Sequence, residues 1–273
     1  TFSLMIHHWA NGQLLLMILF VALASLILGM GLPVTASYIV LGTLSAPALY
    51  ELLAEKQLLD LMVSGQLPQE AMSIFMLTAP DQLSTLAAPM SLETAQQLLS
   101  QVPADFMQTL LEQSLGLETV SLALLSAHLI IFWLSQDSNV TPPVCLTAFA
   151  AATIARTPPM RTGFTAWKIA KGLYLVPLLI AYSGIVSWDT VSVLEAGVFA
   201  ILGTYAFVGA MEGYLEGKIH LVMRILLVAI GFALVWPETA LIVRLACCAI
   251  LIAFVWYSRK HYQPVALQQP VSS

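Results

Sequence analysis

The stretch SQDSNVTPPVCLTAF, residues 135–149, sets Asp137, Ser138, Asn139 and Thr141 beside two adjacent prolines in the middle of an apolar region. How it is read decides the fold. As an ordinary loop, it would leave the next segment, residues 144–155, to cross a bilayer before Arg156. Twelve residues rise only about 18 Å, well short of the roughly 30 Å hydrocarbon core. The segment is therefore read as a half-helix within a discontinuous helix over residues 119–156, broken at 136–143. Irregular backbone at membrane depth is tolerated only where it is buried in protein or lines a cavity.

Composition supports that setting. The chain is 59% hydrophobic and 9% charged, against roughly 25% charged in an ordinary soluble domain. A soluble chain of 273 residues has no way to hide so much apolar surface, because a large share of its residues must face water. The chain reads as an all-α polytopic membrane protein in a lipid bilayer. A net charge of −5 and the lack of a basic tract give no support for a nucleic-acid partner. Cys145, Cys247 and Cys248 are too few and too badly spaced for a disulfide scaffold or a zinc site, and read as packing. The opening TFSLMIHH lacks both an initiator Met and a charged leader, which predicts a piece of a longer chain.

Outward from the break, residues 1–50 form an N-terminal segment and two apolar arms, with no charge over 13–50. The arms meet at Gly29-Met30-Gly31-Leu32-Pro33-Val34-Thr35. A turn in water normally carries Asn, Asp, Ser or Lys; this apolar, glycine-rich one suits the tip of a re-entrant hairpin. The competing reading is two full spans joined by a tight loop. Residues 51–118 then hold nine carboxylates and one base, Lys56, punctuated by four prolines. Leu92, Ala95, Leu98, Leu99 and Val102, followed by Phe106, Leu110 and Leu111, recur at helical spacing. These predict short amphipathic helices outside the bilayer core, either a structural lid or a docking surface for a soluble partner.

After the break, Arg156, Arg161, Lys168 and Lys171 with Trp167 make a basic interfacial connector over 157–172. Four transmembrane helices are predicted within 173–258, near 173–187, 190–211, 219–235 and 239–257, followed by a tail over 259–273. The connector, Lys218 and Arg259-Lys260 are separated by two spans each, and the turns between hold no Lys or Arg. That alternation places all three in the cytoplasm and the acidic insert outside.

A break in a membrane helix frees carbonyls and exposes half-helix dipole ends. Carbonyls with Ser, Thr and Asn oxygens suit a small hard cation, and the helix N-termini suit a carboxylate. Pro142 and Pro143 lack an N–H and suit the first turn of a second half-helix. Ser138, Asn139 and Thr141 supply oxygens. Asp137 is either a further ligand or a group at the watery mouth of the break. On residue chemistry alone, an ion or substrate site stands beside a purely structural kink.

A hairpin with Gly-x-Gly-x-Pro at its tip, then a helix broken at Ser-Asn-x-Thr-Pro-Pro, resembles one half of a TRAP transporter membrane subunit. It is most similar to the C-terminal half of the large membrane domain of the fused, TAXI-type permeases. The residues carrying the resemblance are GMGLPVTASYIVLGTLSAPAL at 29–49, AHLIIFWLSQDSNVTPPVCLTAFAAATIA at 127–155 and TGFTAWKIAKGLYLVPLLIAY at 162–182. They cover about a third of the chain. The resemblance implies sodium-coupled import of an organic acid anion across the bacterial cytoplasmic membrane, after delivery by a periplasmic binding protein. It also implies inverted repeats and an elevator motion, with the first repeat preceding Thr1 or on a separate chain. By position, Gly29, Gly31 and Pro33 at the tip would face Ser138, Asn139, Val140 and Thr141 to form a sodium site. Thr35, Ser37 and Thr147 would line the substrate cavity. The insert of nearly seventy residues departs from the family's short connector, and on the periplasmic side it is placed to meet the binding protein.

Glu195 and Arg244 are intramembrane charges, each six residues inward from Asp189 or Glu238. Both are expected about 9 Å deep and paired, as a structural contact or a proton relay. His128 is open to proton coupling or to a satisfied core role. His7-His8-Trp9 has no metal-ligand spacing for a helix and reads as an interfacial anchor. Two readings of other classes remain beside transport: a non-transporting scaffold subunit, and a membrane enzyme, for which no nucleophile–base pair or metal motif is present.

Overall fold

The computed structural model describes residues 10, 12–78, 86, 88–183, 185–236 and 239–260. The expectations placed on His7-His8-Trp9, on residues 79–85 of the insert, on Glu238 and on the 261–273 tail lie outside the described residues. Those residues form helices and turns, with one isolated bridge between Tyr214 and Lys218 and no strand among them. Four helices are long and apolar enough to cross a membrane: Val34–Ser64, Asp105–Asn139, Thr190–Glu212 and Leu241–Lys260. The protein is all-α and polytopic. It divides into two compact units, residues 1–181 and 182–273.

The first unit opens with α1, Leu14–Gly29, and α2, Val34–Ser64. Buried Leu14, Met17, Ile18, Val21, Ser25 and Gly29 recur at three and four residues, which is one helical stripe. On the other side of α1, Leu19, Leu23 and Ile27 are more than half exposed, as a lipid-facing surface requires. The turn between the arms closes with Gly31 and Leu32 N–H groups donating to Leu28 O at 2.9 and 2.8 Å. Pro33, extended at φ −67° and ψ 159°, then starts α2. The arms differ in length. α1, at 16 residues, rises about 24 Å, and α2, at 31 residues, about 46 Å.

That length corrects the boundary at residue 50. Glu51, Glu55 and Asp60 lie on α2 itself and not in a separate insert. Charge began at Glu51, but nothing there breaks a helix. The element runs through Pro47 and ends at Gly65, whose φ of +68° is the left-handed cap that glycine adopts freely. Leu52, Leu53, Leu58 and Met62 keep this end of α2 buried.

The rest of the expected insert holds α3, Gln69–Thr78, α4, Leu92–Ser100, and the first turns of α5, Ala104–Ser135. Ser91 caps α4 by accepting the Thr94 N–H at 3.2 Å. Ala95, Leu98, Leu99, Val102, Leu110 and Leu111 are buried, whereas Leu92 and Phe106, expected on the same stripe, are exposed. The start of the broken helix near 119 is also corrected. α5 begins fifteen residues earlier, at Ala104, and turns at Gly116 (φ 68°, ψ 162°) before entering its apolar half. α2 and α5 pack along each other.

After the break come α6, Leu146–Ala155, α7, Pro159–Ile169, a 3-10 turn over Ala170–Tyr174, and α8, Val176–Tyr182. The segment near 173–187 was expected to be a full helix separate from the connector. Instead, Pro159–Ile169 and Gly172–Tyr182 form one apolar pair bent by 42°. The glycine at 172 and the proline at 177 make a long straight helix unfavourable there.

The second unit contains α9, Thr190–Glu212, α10, Leu221–Val235, and α11, Leu241–Lys260. At 15 residues α10 is shorter than the others, so the expected four transmembrane helices of 173–258 are two long ones and two shorter pieces. Phe199, Ala206, Ala210, Leu227, Ile230, Leu234, Cys247 and Leu251 form its core. α9 and α10 approach through small residues. A Cβ on Gly203 would come within 2.6 Å of Val235 Cγ2, and one on Gly231 within 2.9 Å of Phe207 Cδ2. Arg224 ties the two helices, donating from Nε to Ala210 O at 2.6 Å and from Nη2 to Met211 O at 2.9 Å. These are carbonyls of the last turn of α9, where a cation also complements the helix dipole.

Candidate functional site

α5 ends at Ser135 and gives way to a 3-10 turn over Gln136–Asn139. The cause is local. An α-helix needs the N–H groups of residues 142 and 143 to reach the carbonyls of Ser138 and Asn139, and both donors are proline. The Asp137 carbonyl takes the N–H groups of Val140 and Thr141 at 3.0 and 2.8 Å. The carbonyls of Ser138, Asn139 and Val140 accept no backbone hydrogen bond among the described residues. The helix resumes at Leu146.

The hairpin tip meets this turn. A Cβ on Gly29 would lie 3.2 Å from Ser138 N and 3.4 Å from both Ser138 Cα and Oγ, so only glycine admits the approach without displacement. Ser25, one turn earlier on α1, donates its hydroxyl to Leu134 O at 2.9 Å. Two buried contacts thus hold the end of α1 against the start of the break.

Around that junction lie oxygens without partners. Asp137 is 1% exposed, and neither carboxylate oxygen makes a hydrogen bond. The Ser138 and Thr141 hydroxyls are likewise buried and unpartnered. The Tyr174 hydroxyl, from the 3-10 turn after α7, lies near Asp137 and is likewise buried without a hydrogen-bond partner. A buried carboxylate without a partner costs several kcal/mol or neutralises. A small cation would complete it. Hard oxygens from a carboxylate, hydroxyls and freed carbonyls are a donor set suited to such an ion.

A search of known families matches residues 1–186 to the model described as "Tripartite ATP-independent periplasmic transporter, DctM component". The chain belongs to this family. It is a TRAP transporter permease, and its helices point to transport rather than enzymatic chemistry. No curated protein and no solved structure matches the chain.

Within this permease the remaining residues singled out in the sequence fall in different places. At the tip Gly29 is buried, whereas Gly31 and Pro33 are exposed. Asn139 is half-buried, donates to Gln136 Oε1 at 3.2 Å and accepts the Thr147 hydroxyl at 3.1 Å. Thr147 therefore braces the break from the first turn of α6. Val140 and Asn139 line an open cavity of about 610 Å³ with Gly172 and Leu173. Ser37 is fully buried with an unpartnered hydroxyl, whereas Thr35 is exposed and lines a separate groove beside Tyr38 and His128. Of the three residues, Thr35 lines that groove, and Ser37 and Thr147 are not among its lining residues.

In the second unit Arg244 donates from Nη1 to Glu195 Oε1 at 3.2 Å and from Nη2 to Trp236 O at 2.8 Å. Its guanidinium sits 5.1 Å from the Phe199 ring centre. Glu195 is about half exposed and Arg244 is buried, so the arginine depends on this contact more than the glutamate does.

Two features had little sequence signal. Ser25 is an ordinary hydroxyl in an apolar helix, and only the fold reveals its acceptor 109 residues away. Tyr38 pairs with His128 across 90 residues, its hydroxyl 3.1 Å from Nδ1. Asp137 is buried, at 1% exposure.

Proposed function

We propose that this permease is the C-terminal half of a TAXI-type TRAP transporter domain, importing an organic acid anion with sodium as the co-transported ion. What carries the reading is the contact of Gly29 with Ser138 beside the unpartnered oxygens of Asp137, Ser138 and Thr141. Sodium is cargo in this reading and not a resident cofactor. Asp137, Ser138 and Thr141 would hold it, with the carbonyls of Ser138, Asn139 and Val140, and the tip at Gly29, Gly31 and Pro33 closing over it. Thr35, Ser37 and Thr147 are proposed for the substrate path; Thr147 reaches it through Asn139.

The setting is the bacterial cytoplasmic membrane, with the segment between α2 and α5 on the periplasmic side and the C-terminus in the cytoplasm. There a periplasmic binding protein would deliver substrate to a re-entrant hairpin that moves as an elevator with a second, inverted repeat. Glu70, Glu93 and Asp105, on α3, α4 and the start of α5, are exposed carboxylates of the segment that would meet that partner.

Equilibrium binding of ²²Na⁺ to the purified full-length permease tests the reading. Saturable binding, displaced by unlabelled sodium but not by potassium and lost in Thr141→Val, is the expected result. Equal displacement by both ions, or unchanged binding in Thr141→Val and Ser138→Ala, would sink it.

A further inference from the structure

The groove containing Thr35 carries a second arrangement of polar groups. It lies between the first turns of α2 and the apolar half of α5, encloses about 420 Å³, and is walled by Leu125, Leu129 and Phe132 with Thr35, Tyr38 and His128. Its volume falls in the range of small-molecule sites, which are mostly apolar with a few placed polar groups.

Those groups are set in a particular way. Tyr38 Oη lies 3.1 Å from His128 Nδ1. With the phenol donating, Nδ1 accepts, and the ring proton is assigned to Nε2. Nε2 has no hydrogen-bond partner among the described residues, and neither does the Thr35 hydroxyl. Tyr38 is also packed edge-on against Phe132, with ring centres 6.1 Å apart, which fixes the phenol that fixes the imidazole. Two donors thus remain unspent on an apolar surface. A lipid chain needs neither of them, whereas an organic acid with an apolar body uses both.

We propose that this groove is a carboxylate-binding subsite for a monocarboxylate with an apolar body. His128 Nε2–H and the Thr35 hydroxyl donate to the carboxylate, Leu125, Leu129 and Phe132 take the body, and Tyr38 is a positioning residue. The inference rests on the transport reading and deepens it, since it specifies the substrate class and moves the contact from Ser37 and Thr147 to His128.

Thermal unfolding of the full-length permease in detergent, titrated with benzoate and hexanoate and with benzamide and hexanamide as neutral controls, tests it. Both acids should raise the melting temperature saturably and the amides should not. Loss of one charge-assisted hydrogen bond weakens binding about tenfold, so His128→Ala should shift the benzoate titration by that factor and Thr35→Val by several-fold. His128→Gln, which retains a donor, should recover most of the affinity, and Tyr38→Phe should fall between. Variants are compared only where their ligand-free melting temperatures match the parent. Equal stabilisation by acids and amides, unchanged titrations in His128→Ala and Thr35→Val, or no saturable shift with either acid would overturn the subsite. A sodium titration of the same samples separates the claims. Sodium stabilisation without acid stabilisation removes the subsite and leaves ion coupling, and the reverse removes ion coupling alone.

Discussion

Gly29 and Ser138 approach so closely that a Cβ on Gly29 would stand 3.2 Å from the Ser138 amide nitrogen. The residues are 109 apart in sequence, and their contact joins the end of a helical arm to a break that two prolines enforce. Three unpartnered side chains, those of Asp137, Ser138 and Thr141, lie on the break side of it. The proposed ion site depends on that closeness.

A side chain at Gly29 should therefore harm the site more than the fold. Gly29→Ala asks the backbone of Ser138 to give by a few tenths of an ångström, and Gly29→Val asks more. Overpacking of this kind costs about 1–3 kcal/mol. Sodium-dependent stabilisation should weaken in Gly29→Ala and vanish in Gly29→Val, while Gly42→Ala, further along α2 and meeting nothing within 4 Å, keeps it. Equal effects at both glycines would mean that the approach of tip to break is not what matters.

The Arg244–Glu195 pair should be asymmetric. Arg244→Ala removes contacts to Glu195, Trp236 and Phe199 together. Glu195→Gln keeps an acceptor for Nη1. Hydrogen bonds to charged groups contribute about 1.5–3 kcal/mol each, so Arg244→Ala should lower the melting temperature clearly and Glu195→Gln only slightly. Thermal unfolding of the two single variants and the double variant measures this, and a larger loss in Glu195→Gln would reverse the assignment.

Gly231 is closed in by the Phe207 ring, with 2.9 Å to Cδ2. Gly231→Leu should separate α9 from α10 and cost about 1–3 kcal/mol. Gly231→Leu combined with Phe207→Ala should recover part of the loss, because the added bulk then has room. No recovery in the double variant would place the strain elsewhere.

Asp189 caps α9, accepting N–H groups from Val191 at 3.3 Å and Ser192 at 2.9 Å. Its hydrogen bonds with Ser192, side chain first and backbone next, hold its carboxyl below the usual carboxylate range. A depressed folded-state pKa gives stability that is present above the unfolded pKa and lost as pH falls through the folded one. Melting temperature against pH should thus fall on acidification, and Asp189→Asn, which still caps, should flatten that limb while matching the parent near neutrality. Superimposable curves would remove the effect.

The parts legible in the sequence were those with local causes. The missing N–H groups of Pro142 and Pro143 announce the break, and the glycines before Pro33 announce the turn, because each acts within a few residues. The end of α2 was not legible. The charge at Glu51 resembles an exit from the membrane, whereas the helix continues because packing of Leu52, Leu53, Leu58 and Met62 holds it to Gly65. The extra turns of α5 before Gly116 were hidden for the same reason: acidic residues tolerate a helix wherever one face is buried. The Ser25 and Tyr38 contacts depend on which helices become neighbours, and neither residue type gives notice of it.

The measurement closest to the central claim is the melting temperature of the full-length permease with sodium titrated against potassium at constant ionic strength. An ion bound only by the folded state stabilises it as RT ln(1 + [L]/Kd). The account predicts a saturable rise with sodium, none with potassium, and loss of the rise in Ser138→Ala and Thr141→Ala. Identical curves for the two cations in the parent protein would contradict it.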